Sequence, residues 1–182
     1  MMGLHPCYVK ENYQQELHHV QEQLFTGNYI AVGEIGIDLY WDKTNFEIQK
    51  IAFEKQIDLA IASDLPIVIH SRESTREILE ILQQKKHPKL RGVLHCFSGT
   101  LEEAQEAIAL GFYLGIGGVV TFKNGKIDQF LHEIDLKNIV LETDSPYLAP
   151  VPYRGKRNES CYTLLVAQKL AEIYGLSVAK IA

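Results

Sequence analysis

Five short apolar runs punctuate this chain at fairly even intervals, with longer amphipathic stretches between them. "NYIAVGEIG" (28–36), "LPIVIH" (65–70), "RGVLHCF" (91–97), "FYLGIGG" (112–118) and "NIVLE" (138–142) read as strands. Each is a continuous apolar block rather than an alternating one, the pattern of strands covered on both faces. In the first, Ile30, Ala31 and Val32 form the block, and Gly33 and Gly36 are expected to stop it. The segments between have helical spacing. Residues 45–62 repeat Phe46, Ile51, Phe53, Ile57 and Ala60, and 72–85 group Ile78, Leu79, Ile81 and Leu82. Residues 100–110 open with Thr100 and Glu103, a capping-box pair. A short helix over 126–134 and a last helix from about Glu159 to Tyr174 complete the series. Strands alternating with helices predict an α/β fold with a parallel sheet and right-handed crossovers.

The bulk chemistry narrows the functional classes. The 182 residues suit one domain, with 46% apolar and 23% charged residues. No run of eighteen apolar residues occurs, so no membrane span is expected. Three scattered cysteines, Cys7, Cys96 and Cys161, and no secretion signal predict reduced thiols and a cytoplasmic setting. Cys96 and Cys161 are expected to be small buried or half-buried groups. The net charge of −5 argues against simple electrostatic attachment to nucleic acid. It leaves room for a nucleic acid substrate if bound divalent cations supply positive charge locally.

Residues of metal-binding type recur at one place in each unit. Glu34 follows the first run, His70 ends the second, His95 ends the third and Asp144 follows the fifth. Ligands of parallel α/β sheets collect outside the carboxyl ends of the strands, so these four are expected to converge. Two histidines with two carboxylates suit zinc, manganese or iron better than calcium. His18, His19, His87 and His132 fall in helices or beside Pro88 and are expected on the surface. The loop 145–160 is long for a strand-to-helix connection, which marks it as a candidate functional loop.

The pieces "GLHP" (3–6), "GEIGIDLYWDK" (33–43), "IHSR" (69–72), "LHCFSG" (94–99), "ETDSPYL" (142–148) and "PYRGKRNE" (152–159) occur in this order. Together they resemble the TatD family of metal-dependent deoxyribonucleases, members of the amidohydrolase-like TIM barrels, over nearly the whole chain. The resemblance implies hydrolysis of DNA phosphodiester bonds with divalent metal ions (Mg, Mn or Zn), two in a complete enzyme. By it, Glu34 is the carboxylate bridging the ions, His70 and His95 serve one metal site, and Asp144 is ligand and catalytic carboxylate of the other. His5 stands at the site edge. Arg72 meets a substrate phosphate, as do Arg154, Lys156 and Arg157 in the long loop. Glu142 supports Asp144 without binding metal. DNA is the expected partner, with neither a membrane nor an obligate protein partner.

The family's opening H-x-H-x-D motif is absent from these residues; His18 and His19 are adjacent. A full (β/α)₈ barrel takes about 250 residues. The chain is therefore expected to be an incomplete (β/α)₈ barrel of five βα units plus a strand stub at "MMGLHP". It is also expected to bind one metal well, through Glu34, His70 and His95. A catalytically impaired metal-binding remnant and a hydrolase of a non-phosphate bond are the alternative readings.

Overall fold

The structure is a computed structural model that describes residues 1–41 and 43–182. Asp42, inside the motif 33–43, lies outside the described residues. Two compact units make up the chain: Met1–His95 with Ala109–Phe112, and Cys96–Ile108 with Tyr113–Ala182.

In the first unit, β1 (Val32–Asp38), β2 (Ile67–Arg72) and β3 (Gly92–Leu94) run parallel in that order. The expected stub is present: Met2 forms a parallel bridge to Val32, and the Gly33 amide donates to the Met2 carbonyl at 3.0 Å. Three helices, α1 (Tyr13–Leu24), α2 (Phe46–Ser63) and α3 (Thr75–Gln84), accompany these strands. α2 buries Ala52, Phe53, Ile57 and Ala60 against β1, and packs on α1. α3 buries Ile78, Leu79, Ile81 and Leu82, as their spacing requires. Ile35, Ile37, Ile67, Ile69 and Leu94 are fully buried. Burying each such side chain stabilises the fold by about 1.5–3 kcal/mol before entropy is counted.

β1 departs from the sequence expectation. It does not stop at its glycines but runs from Val32 to Asp38, and Ile30 lies outside it, 82% exposed. At Gly36 the backbone takes φ +143°, and a Cβ there would stand 2.0 Å from the His70 carbonyl oxygen. The glycine thus admits β2 rather than ending β1. The register also slips. Val32 faces Ile67 while Ile35 faces Ile69, so three steps on β1 match two on β2. The extra residue is a bulge at Gly33–Glu34, a device that re-aims a side chain within a strand.

In the second unit, β4 (Phe112–Ile116) pairs in parallel with β5 (Ile139–Leu141), Leu114 facing Ile139 and Gly115 facing Val140. α4 (Leu101–Ala109) opens on the expected capping box. The Thr100 amide donates to Glu103 Oε2 at 2.8 Å and the Glu103 amide to Thr100 Oγ1 at 3.3 Å. The strand expected over 91–97 ends at Leu94, because the chain turns at Cys96 with φ +45°. Coverage on both strand faces fails here too: Tyr113 and Val140 are 47% and 43% exposed.

The helix expected over 126–134 is two 3₁₀ turns, Ile127–Gln129 and Leu131–Glu133. The buried residues Ile127, Leu131 and Ile134 keep the spacing that suggested a helix. Carbonyls that a helix would occupy are taken from outside: the Tyr174 hydroxyl donates to the oxygens of Leu131 and Ile134. Tyr174 ends α5 (Thr163–Tyr174), which follows a 3₁₀ turn at Ser160–Tyr162, and α6 (Val178–Ile181) closes the chain. Among the described residues no helix is long and apolar enough to cross a membrane.

Candidate functional site

The bulge in β1 presents Glu34 from within the strand, not from its end as the sequence suggested. Around it the first unit gathers His5 and His70. One ligand atom from each of His5, Glu34 and His70 lies within 4.8 Å of the others. The His5 and His70 rings meet edge to face with centroids 4.4 Å apart, and His5 Nε2 stands 3.8 Å from Glu34 Oε2. A ligand atom of His95, at the end of β3, comes equally close to one of Glu34. No single group joins Glu34, His70 and His95 within that limit among the described residues. Glu34 is common to both sets, the position of a shared ligand. Mixed nitrogen and oxygen donors at this spacing fit a transition-metal or zinc ion.

The two histidines are held differently. His5 Nδ1 accepts from the Cys7 amide at 3.2 Å, which leaves the Nε2 side of the ring toward Glu34. His70 Nε2 lies 2.9 Å from Asp38 Oδ2. Burial, reinforced by the neighbouring histidines, lowers the pKa of both from 6.5, against the raising effect of Asp38. Both rings are therefore neutral at pH 7, the form that can bind metal.

Asp38, Cys7 and Gln49 are site residues that the sequence reading left unassigned. Asp38 is the last residue of β1 and 2% exposed. Its Oδ1 accepts from the amides of Tyr40 (3.0 Å) and Trp41 (3.1 Å). Burial works against ionisation, but the His70 contact and these two amides outweigh it and hold the carboxyl below its usual range. Gln49 on α2 fixes the Asp38 backbone, accepting its amide at 2.8 Å and donating to its carbonyl at 3.2 Å. Cys7 Sγ stands 3.6 Å from Asp38 Oδ2. Burial and that charge push its thiol up to about 11. The available signal was an acid just before an aromatic pair at the close of an apolar run.

Arg72, at the end of β2, lays its guanidinium 3.8 Å over the Tyr40 ring and 5.3 Å from that of Trp41. Tyr40 and Trp41 are themselves 49% and 69% exposed.

In the second unit, Asp144 follows β5 with φ +57°, and the Tyr147 amide donates to its carbonyl at 2.7 Å. Glu142 Oε1 accepts from the Cys96 amide at 2.5 Å. The loop 145–160 is staked by Asn158, whose importance the sequence did not disclose. It is 2% exposed, and its side-chain amide donates to the carbonyls of Thr143 and Tyr147, each at 2.6 Å. Arg154, Lys156 and Arg157 are exposed on this loop, Arg154 lying 4.1 Å over Phe122. Cys161, expected buried or half-buried, is exposed, since it sits on the outer side of the 3₁₀ turn before α5. His18, His19, His87 and His132 are on the surface as expected.

Comparison with known proteins follows the motifs. The sequence model of the family described as TatD related DNase matches residues 1–182. YabD of Bacillus subtilis, an uncharacterized metal-dependent hydrolase, is 39% identical over 182 residues, covering 100% of this chain and 71% of YabD. YcfH of Escherichia coli, described in the same words, is 33% identical over 99% of this chain and 68% of its own. The crystal structure of YjjV, a TatD homolog from Escherichia coli, superposes with a TM-score of 0.92 at 31% identity. That match covers 99% of this chain and 70% of YjjV. It agrees with the expected parallel α/β architecture of the TIM-barrel class.

Proposed function

We propose that this chain, which belongs to the TatD related DNase family of metal-dependent hydrolases, acts on the phosphodiester bonds of DNA. The observation that supports this best is the meeting of His5, Glu34 and His70 within 4.8 Å, with Arg72 two residues beyond His70. Divalent metal, when bound, brings a coordinated water toward ionisation at neutral pH and offsets charge on the phosphate. Glu34 would hold it as the shared ligand, with His5 and His70 in one set and His95 in the other. Asp144 accepts the proton of the attacking water. His5 holds its Nε2 side toward the reacting groups. Arg72 carries the charge that meets a phosphate oxygen, and Arg154 and Arg157 extend the phosphate contacts along the strand. The backbone is read and the bases are not, and a bound divalent cation would offset the mismatch between a polyanion and a net charge of −5.

The test is hydrolysis of a labelled DNA oligonucleotide by chelator-stripped protein resupplied with Mg²⁺, Mn²⁺ or Zn²⁺. Restored cleavage, lost in Glu34→Gln, is expected. Cleavage of amides or lactones with intact DNA would replace this reading with a hydrolase of another bond. Metal binding without turnover of any substrate would make the chain a metal-binding protein.

A further inference from the structure

We infer that Asp38 is a positioning residue that fixes the tautomer of His70, placing the proton on Nε2 and leaving Nδ1 as the lone pair available to a metal ion. The inference rests on the metal-dependent reading above, and its first measurement does not.

Asp38 cannot move its carboxylate without losing several bonds at once. Oδ1 is engaged by two backbone amides, which are obligatory donors. Oδ2 faces His70 Nε2 at 2.9 Å. The backbone on either side of the Asp38 side chain is clamped by Gln49. An ionised carboxylate only accepts, so a neutral His70 must donate through Nε2. A ring carries one proton when neutral, and Nδ1 is then the acceptor. Metal-binding histidines commonly donate their second nitrogen to a carboxylate in this way, and losing that partner costs about 10–100-fold in affinity.

The partners are also arranged in sequence order for this task. Asp38 lies across from Arg72 in the register of β1 and β2, and Gly36 lies across from His70. Asp38 therefore reaches back along the sheet to a ring two positions earlier on the neighbouring strand. Gly36 permits the strand pairing that sets this reach, since a Cβ there would stand 2.0 Å from the His70 carbonyl oxygen.

The first experiment reads the wild-type protein. Long-range ¹H–¹⁵N correlation spectra of the metal-free, histidine-labelled full chain report which His70 nitrogen carries the proton, with His70→Gln used to assign its signals. A protonated Nε2 is expected; a protonated Nδ1 overturns the inference. The second uses Asp38→Asn. Its side-chain oxygen can still cap Tyr40 and Trp41, so an NH₂ group faces Nε2 and forces that nitrogen to accept. The His70 proton is expected on Nδ1, and Zn²⁺ affinity by chelator competition is expected to fall about 10–100-fold. Asp38→Glu, which restores a carboxylate, is expected to return the Nε2 proton and part of the affinity. A folded Asp38→Asn protein that keeps the wild-type tautomer, or binds Zn²⁺ within twofold of wild type, overturns the inference. No DNA cleavage by the metal-loaded wild-type protein, with tautomer and affinity behaving as stated, would leave the inference standing and count against the proposed substrate.

Discussion

At the scale of single residues, the candidate site sets neutral His5 and His70 near the ionised Asp38. Burial is the largest cause lowering His5 and His70 below 6.5, so in the metal-free protein both resist protonation more than in the unfolded chain. Between the folded and unfolded values the unfolded chain binds more protons, and stability rises with pH there. The contribution is complete above pH 6.5 and declines as pH falls below it. Thermal unfolding of metal-free protein from pH 7.5 to 5 is expected to show Tm falling below about 6.5, with a shallower fall in His70→Gln. A flat profile across that range would contradict the burial argument. Glu34, His70 and His95, whose ligand atoms the first unit gathers around Glu34, were legible because each follows or ends an apolar run within a motif. Asp38 was not, although it lies inside one of those motifs. Its bond to His70 spans 32 positions and depends on strand pairing that no local pattern displays.

Among the elements, the strands were readable and their edges were not. Apolar composition located β1 and β5, but the bulge at Gly33–Glu34 depends on the partner's register, which leaves no mark in one strand's own residues. The segment 126–134 misled for a related reason. Its apolar spacing is that of an α-helix, yet Tyr174, 40 residues or more away, takes its carbonyls. α2 holds a second unread device. Gln49 and Gln56, seven positions apart and so on one face, are both buried among apolar neighbours. Gln56 accepts the Leu4 amide at 2.6 Å and donates to the Leu4 carbonyl at 3.1 Å, tying the stub ahead of β1 to the helix. Gln56→Leu leaves both Leu4 groups without these partners and is expected to cost about 2–4 kcal/mol. Urea unfolding measures it, and a loss under about 0.5 kcal/mol would show that other groups replace the clamp.

For the whole molecule, the charge balance and the metal reading belong together. Eighteen basic residues face 23 acidic ones, so an approaching polyanion meets a chain of its own sign. A bound divalent cation eases that mismatch and links to folding as well. At a free metal concentration about 100 times Kd, stability is expected to rise by about 2.7 kcal/mol. For a chain of this size that is a Tm increase of about 5–10 °C. Differential scanning calorimetry with and without Zn²⁺ or Mn²⁺ checks it, and an unchanged Tm at saturating metal would speak against a site in the folded chain. The sequence spans about 70% of the length of YabD and YjjV, and the motifs that it shares with their family locate most of the candidate ligands. Asp38 has one more consequence. One of the two backbone amides that donate to its Oδ1 belongs to Trp41, the only tryptophan in the sequence. A largely exposed indole tethered to the carboxylate that holds His70 gives the protein a single built-in fluorophore. Its emission reads the neighbourhood of the site directly, with no label and no second indole to obscure it.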